Sequence, residues 1–209
     1  MTTSRELTDL TLPAAPGLPL PEHLTARRDR LARAVRVISV PPLMAAGLLL
    51  LLLFRGSISA AEALIGAGGI VLLPSLAYAF SKDRERQRRL AFVFSGIGYA
   101  ASCGAVLLTD ASPAARCIFT TYLLSVIFLI IFNKALHIKA SGHACSITGP
   151  IVAAAVLFGG WLVWPCLILW ALIFWSSVRL KRHTVAEFLL GAACSSTALL
   201  IDLLIFRLP

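Results

Sequence analysis

Long apolar runs, separated by short polar or charged segments, set the pattern of this chain. They cover residues 37–54, 58–80, 90–108, 116–133, 144–159, 161–176 and 185–206. A helix of about 20 apolar residues crosses a hydrocarbon core about 30 Å thick, and most of the runs approach that length. The pattern therefore predicts an all-α fold, a polytopic transmembrane helical bundle of six to seven spans.

The fifth and sixth runs are short, and only Gly159, Gly160 and their neighbours separate them. We expect either a helical hairpin with a tight turn or a re-entrant pair. Pro41 and Pro42 in the first run and Pro74 in the second predict kinked helices. A membrane bundle tolerates such kinks where neighbouring groups satisfy the freed carbonyls.

The composition agrees with a membrane protein. Of the 209 residues, 58% are hydrophobic and 14% are charged, whereas an ordinary soluble domain carries about 25% charged residues. The net charge of +9 is carried by short segments between the apolar runs, as the positive-inside rule expects. We therefore expect the lipid bilayer, and no nucleic acid, as the partner of these charges.

The first 35 residues combine several prolines with a basic stretch. A cleavable signal peptide would place an apolar run close behind its first charges, followed by a small-residue cleavage site, and neither is visible here. We expect residues 1–35 to form a cytoplasmic tail, partly disordered and ending in a basic surface helix. Residues 36–209 are expected to form the membrane-embedded domain.

The orientation follows from the charges of the loops. If the basic tail is inside the cell, the segments 81–89, 134–143 and 177–184 are inside as well. Their basic residues are Lys82, Arg84, Arg86, Arg88, Arg89, Lys134, Lys139, Arg179, Lys181 and Arg182. The opposite loops carry only Arg55 and Arg116. This asymmetry predicts a multi-pass protein of the cell membrane whose basic face is cytoplasmic.

Two acidic residues, Glu62 and Asp202, interrupt apolar runs near the predicted outer boundary. We expect carboxylates there that face water or reach it. The alternative is a proton relay or a substrate path within the membrane, which would make the protein a small transporter.

The cysteines stand singly in apolar stretches, without C-x-x-C spacing, so we expect small hydrophobic residues rather than metal ligands or disulfides. They are Cys103, Cys117, Cys145, Cys166 and Cys194.

Three segments of the basic face, 81–90, 139–143 and 176–187, carry side chains that suit an anionic phosphorus centre. The guanidinium group of arginine can donate two hydrogen bonds to phosphate oxygens, and the ammonium group of lysine adds a positive charge. The free N–H groups at the start of the fifth span, just after Ser141 and Gly142, favour an anion as well. These positively charged groups would thus stabilise the negative charge that develops during phosphoryl transfer.

Two histidines lie in these segments. His183 and Glu187 are four residues apart, so they share one helix face, and a carboxylate there can hold an imidazole tautomer. A histidine nucleophile needs such an orienting group, with His143 available as a proton donor to the leaving oxygen. Interfacial histidines and arginine-rich loops are also common in membrane proteins without any catalytic role, so spacing alone leaves both interpretations open.

The order of these segments resembles the type 2 phosphatidic acid phosphatase superfamily, also called haloperoxidase-like, over roughly residues 75–195. The signature of that family is K-x6-R-P, then P-S-G-H, then S-R-x5-H-x3-D. The matching residues are Lys82 and Arg89, then Ser141, Gly142 and His143, then Ser176, His183 and Glu187.

The resemblance implies a metal-independent phosphohydrolase that needs no cofactor. His183 would attack phosphorus to form a phosphohistidine, His143 would protonate the leaving alkoxide, and Glu187 would orient His183. The residues expected to hold the phosphoryl oxygens are Lys82, Arg89, Ser141 and Gly142, with Lys139, Arg179 and Arg182 as further candidates.

Four positions depart from the signature. Leu90 and Ala140 replace prolines, and Glu187 replaces an aspartate while keeping its charge. Ser177 stands where the third motif has its arginine, so one phosphate fork is missing. Arg179 lies two residues further on, a shift that turns a helical side chain by about 200°.

The expected substrate is a lipid phosphate or a prenyl (di)phosphate, hydrolysed at the cytoplasmic leaflet. Prenyl phosphates, phosphatidylglycerol phosphate and prenyl-linked sugar phosphates all qualify, and the oligomeric state stays open. Ser177 supports an alternative, a non-catalytic membrane protein that binds anionic lipid headgroups or a partner. The small transporter remains the other alternative.

Overall fold

The computed structural model of the protein describes residues 22–81 and 83–208, and only the backbone for residues 22–25 and 84. Most of the predicted tail therefore lies outside the described residues. Within them the chain forms helices and turns but no strand, which confirms the all-α prediction. The helices are α1 (Glu22–Ile38), α2 (Pro41–Phe54), α3 (Ala60–Gly66), α4 (Leu73–Phe80), α5 (Arg84–Leu107), α6 (Pro113–Ile130), α7 (Gly142–Phe158), α8 (Val163–Arg179) and α9 (Val185–Phe206).

Each predicted apolar run coincides with a helix or with a helix that continues through a π-helical turn. Among the described residues, five helices are long and apolar enough to cross a membrane, and a bent pair made of α1 and α2 raises the number to six. The five are Ala60–Phe80, Glu85–Leu107, Pro113–Ala135, Gly160–Arg179 and Val185–Phe206. Helix α7 is shorter but also apolar. The protein is thus embedded in a membrane through several helices.

Of the two places where the sequence predicts kinks, the chain is bent at Pro41 and Pro42, whereas the helix Ala60–Phe80 continues through Pro74. Pro41 and Pro42 begin α2, which is bent by 54° from α1. Pro74 lies in the first turn of α4, directly after the π-helical turn Ala67–Leu72. Proline lacks the N–H that a helix interior uses, so it is best accommodated in a first turn.

A tight glycine turn joins α7 to α8. Gly159 and Gly160 have φ angles of 53° and 54°, a region that glycine enters without steric cost. Helices α7 and α8 pack against each other on either side of this turn. The two runs therefore form two helices that pack against each other across a glycine turn.

The centre of the bundle is formed by α6, α7 and α9, with α2 and α5 around them. Phe119 of α6 and Leu199 of α9 are almost completely buried there. A second cluster lies between α7, α8 and α9, where Phe174 and Phe188 meet edge to face at 5.2 Å between ring centroids. The outer surfaces carry many exposed large apolar side chains, including Phe54, which is 84% exposed. So much exposed apolar surface suits lipid rather than water.

The two acids inside the apolar runs are buried, so the expectation that they face water is wrong. Glu62 closes a capping box with Ser59 at the start of α3 and also accepts hydrogen bonds from the backbone and hydroxyl of Ser112. Asp202 of α9 accepts a hydrogen bond of 2.8 Å from the Thr121 hydroxyl of α6. Buried carboxylates need such partners in a membrane, and these contacts join neighbouring helices.

Helix α1 packs against α8 instead of extending freely into solvent. Asp29 pairs with Arg179 of α8 at 2.9 Å, and Ala32 on the same helix is fully buried. The predicted boundary between residues 35 and 36 consequently falls inside α1, and this helix belongs to the folded part of the chain.

Candidate active site

A cavity of about 600 Å³ lies at one end of the bundle. It is bordered by α2, α4, α5, α6 and α7, by the last turn of α1 and by the loop between α8 and α9. One part of its wall is cationic and polar, formed by Arg36, Gln87, Arg88, His143, Arg182 and His183. The other part is apolar and aromatic, with Tyr78, Phe92, Tyr99, Tyr122 and Val126 among its residues. The cavity therefore has a charged region and an apolar region.

His183 lies in the loop just before α9, and Glu187 holds it there. Nδ1 of His183 is 3.4 Å from Oε2 of Glu187. The same carboxylate accepts a hydrogen bond from the backbone N–H of Thr184, whose hydroxyl accepts one from the Glu187 N–H. This capping box fixes the start of α9. Glu187 can thus hold the proton on Nδ1 and leave Nε2 as the nucleophilic nitrogen.

The surroundings of His183 favour its neutral form. Burial lowers the pKa of His183 below its ordinary value, the contact with Glu187 raises this pKa, and the positive charges of Arg36 and Arg88 lower it again. The net direction is downward. An imidazole with a lowered pKa is uncharged at neutral pH, which a nitrogen nucleophile requires.

His143 is the second residue of α7. Ser141 caps this helix, because its hydroxyl accepts a hydrogen bond of 3.2 Å from the N–H of Ala144. The first N–H groups of the helix have no acceptor within it, and Gly142 and His143 line the cavity at this point. Nε2 of His143 is buried and has no hydrogen-bond partner among the described residues. It is therefore available to a molecule in the cavity.

Glu187 also ties the two histidine-bearing segments together. Its carboxylate pairs with Nζ of Lys139 at 2.8 Å, and its carbonyl accepts a hydrogen bond of 2.9 Å from the N–H of Ser141. On the other side, the Asn133 amide bonds to both the N–H and the carbonyl of Ala140. These contacts hold the Ser141–His143 segment against the start of α9.

Gly191 allows this close approach. A Cβ at this position would lie 2.2 Å from the carbonyl oxygen of Ser141, so the backbone of the His143 segment would have to move. We expect Gly191→Ala to destabilise the protein by about 1–3 kcal/mol, the usual cost of overpacking. Gly104→Ala is the matched control, because its Cβ would meet open space and alanine favours a helix by up to about 1 kcal/mol. The apparent unfolding midpoints of the two variants in detergent measure the difference, and equal midpoints would contradict the packing argument.

Three arginines from the described part of the chain bring guanidinium groups to the cavity: Arg36, Arg88 and Arg182. They lie close enough to interact, since the charge of Arg36 acts on both histidines and on the other two arginines. The cavity wall has two imidazoles beside these three cations, which is a suitable surrounding for a phosphoryl group.

The structure brings some of the predicted phosphate-binding residues together and leaves others apart. Gly142 and Arg182 line the cavity. Ser141 caps α7 next to it, and Lys139 pairs with Glu187 outside its lining. Arg89 is exposed and pairs with Glu85, while its neighbour Arg88 lines the cavity instead.

Arg179 and Lys82 complete the set of predicted phosphate-binding positions. Arg179 is held by Asp29 of α1, and Lys82 lies outside the described residues. Ser177, at the position of the missing motif arginine, is buried, and its hydroxyl has no partner among the described residues.

The sequence analysis missed Arg36, Gln87 and Arg88 as cavity residues. Arg36 is the first residue of the segment assigned to the membrane-embedded domain, and only its position along the chain distinguishes it. It stands one turn before the break at Pro41 and Pro42, where the charged segment meets the first apolar run. Gln87 and Arg88 have no local signal, because their contribution depends on how α5 is rotated.

Comparisons of the chain with protein-family models, with curated proteins and with solved structures find no match. The chemistry of the site therefore has to be inferred from its geometry and from the motifs of the chain. The site combines an oriented imidazole, a second imidazole with an unpartnered nitrogen and a set of guanidinium groups beside an apolar wall. Such an arrangement can bind an amphiphilic anion and supply both a nucleophile and a proton donor.

Proposed function

We propose that the protein is an integral membrane phosphatase that hydrolyses a lipid phosphate or a prenyl (di)phosphate without a metal ion, through a phosphohistidine intermediate. One observation carries the proposal. His143 and His183 line the same cavity as three guanidinium groups, and a carboxylate holds Nδ1 of His183. A nucleophile, a proton donor and cationic binding groups for phosphate all border one space.

In the proposed mechanism, Nε2 of His183 attacks phosphorus. A new N–P bond forms while the bond between phosphorus and the lipid oxygen breaks, and the lipid alkoxide takes a proton from His143 and leaves as an alcohol. Burial and the nearby charges of Arg36 and His183 lower the pKa of His143 to about 3, so the negative charge of the bound phosphate has to favour the protonated form that this step needs. Water then attacks the phosphohistidine and gives its proton to His143. The N–P bond breaks, and inorganic phosphate leaves.

The two parts of the cavity wall suit an amphiphilic substrate. The phosphate group would lie among the arginines and histidines, and the first carbons of the lipid chain would lie against Tyr78, Phe92 and Tyr99. A volume of about 600 Å³ is within the usual range of small-molecule sites, about 300–1,000 Å³. The rest of a long acyl or prenyl chain would stay in the bilayer.

Purified full-length protein in detergent with a metal chelator tests the function. Short-chain phosphatidic acid, phosphatidylglycerol phosphate, a prenyl phosphate and a prenyl diphosphate are the substrates, and inorganic phosphate is measured. Release that requires both His183 and His143 supports the phosphatase. Binding of these lipids without any release supports the alternative of a non-catalytic headgroup-binding protein, which the serine at position 177 favours.

The proposal places the site at the cytoplasmic face, because most loop arginines and lysines lie at that end of the helices. Single cysteines test this orientation in a variant whose native cysteines are replaced by serine. Ser81→Cys, between α4 and α5, is expected to react with a membrane-impermeant maleimide only after the cells are permeabilised. Asp110→Cys, between α5 and α6, is expected to react in intact cells. Ready labelling of Ser81→Cys in intact cells would reverse the orientation.

A further inference from the structure

Arg36 differs in origin from the other cations of the cavity wall. Among the described residues that line the cavity, it is the only cation outside the three motif segments. It belongs to the last turn of α1, and α1 is held against α8 by the ion pair between Asp29 and Arg179 and by the buried Ala32. A packed helix therefore carries this guanidinium to the histidines.

Part of this guanidinium is buried without a partner. Nη1 of Arg36 has no hydrogen-bond acceptor among the described residues. Burying a charged donor without an acceptor costs considerable free energy. An anion in the cavity would provide the missing acceptor and recover that cost.

The charges around Arg36 favour the same ligand. Arg88 and Arg182 lie near enough to repel it, and the described part of the cavity lining contains no carboxylate. The nearby carboxylate of Glu187 is engaged by Lys139 and His183. A phosphate monoester with two negative charges would relieve this repulsion and accept hydrogen bonds from a guanidinium fork.

The third motif lacks one guanidinium, since Ser177 stands at its arginine position and its hydroxyl is buried. Arg179 cannot replace it in the observed arrangement, because Asp29 holds it. We infer that Arg36 is a phosphate-binding residue of the active site and supplies the guanidinium that position 177 lacks. Helix α1 is then part of the active site, and this inference rests on the proposed phosphatase function.

The test uses the full-length protein in four versions: wild type, Arg36→Ala, Arg36→Lys and Arg33→Ala. Arg33→Ala is the matched control, because Arg33 is an exposed arginine one turn earlier on α1. Two quantities are measured for each. One is kcat/KM for phosphate release from short-chain phosphatidic acid, and the other is Kd for the non-hydrolysable phosphonate analogue of that lipid. Helical content and elution from size exclusion check the fold.

Arg36→Ala is expected to raise Kd and to lower kcat/KM by about 10- to 100-fold each, the usual effect of losing a charge-assisted hydrogen bond. Arg36→Lys keeps the positive charge but loses the two parallel hydrogen bonds that a guanidinium group can donate. Its Kd and kcat/KM should therefore fall between those of wild type and Arg36→Ala. Arg33→Ala should stay within about twofold of wild type, because its loss removes only a screened surface charge. If Arg36→Ala does not fold, Arg36→Gln takes its place.

The outcomes separate this inference from the proposed function. If wild type releases phosphate and Arg36→Ala matches Arg33→Ala in both quantities, the inference is overturned while the phosphatase stands. If wild type binds the phosphonate but releases no phosphate from any of the four lipid phosphates named above, the phosphatase is overturned, and the Kd values still decide the role of Arg36. If wild type neither binds nor hydrolyses, both fail.

Discussion

His183→Ala is expected to reduce phosphate release by at least about 10⁴-fold, because removing a covalent nucleophile leaves only the contributions of binding and charge. In the proposed mechanism, His183 is the nucleophile of the pair. Its Nδ1 faces the Glu187 carboxylate at 3.4 Å, and its pKa is lowered, so a neutral Nε2 is available at neutral pH. The measurement is kcat/KM for each lipid phosphate with a metal chelator present.

His137→Asn is the matched control for this variant. His137 is exposed and lies at the same end of the bundle, between α6 and α7, with a φ of 55°. Asparagine tolerates this left-handed conformation better than alanine does. The control should retain full activity. Retention of more than a tenth of the activity by His183→Ala would show that a different group attacks phosphorus.

His143→Gln is expected to act differently, because its effect should depend on the leaving group. A lipid alkoxide needs a proton to leave, so loss of the proton donor should reduce kcat/KM for a lipid phosphate by about 10²–10⁴-fold. Nitrophenolate leaves without a proton, so the loss with p-nitrophenyl phosphate should remain below about tenfold. Nε2 of His143 has no partner among the described residues, and glutamine keeps a similar volume at this buried site.

The comparison of the two substrates decides the role of His143. Equal losses with both would mean that His143 binds phosphate and does not donate a proton. His183→Ala provides the reference, since loss of the nucleophile should affect both substrates alike. The two variants together thus separate attack on phosphorus from protonation of the leaving group.

Several parts of this fold could be predicted because they depend on residues close together in the chain. The length of each apolar run predicts a helix, Pro41 and Pro42 mark the break between α1 and α2, and Gly159 and Gly160 permit the turn between α7 and α8. Backbone groups in lipid must satisfy each other locally, so a long apolar run has few alternatives to a helix.

In the candidate site, too, the contacts between residues close together in the chain could be predicted. The spacing of four residues between His183 and Glu187 brings the imidazole and the carboxylate together, and Ser141 caps the helix that begins before His143. Whether these residues act on a phosphate stays a prediction. The sequence could not choose between Arg88 and Arg89, because adjacent side chains on a helix differ in direction by about 100° and the packing of α5 decides between them.

By itself, the sequence determined that the chain is a membrane-embedded helical protein with its histidines next to helix ends, since helix length, breaks and caps are local properties. Only the tertiary structure decided which cations reach the histidines. Asp29 and Arg179 are 150 residues apart, and their contact engages Arg179, which was expected to bind phosphate. The same contact holds α1 in the position where Arg36 lines the cavity. Such a choice depends on how distant helices pack and rotate against one another, and neither spacing nor hydropathy along the chain contains that information.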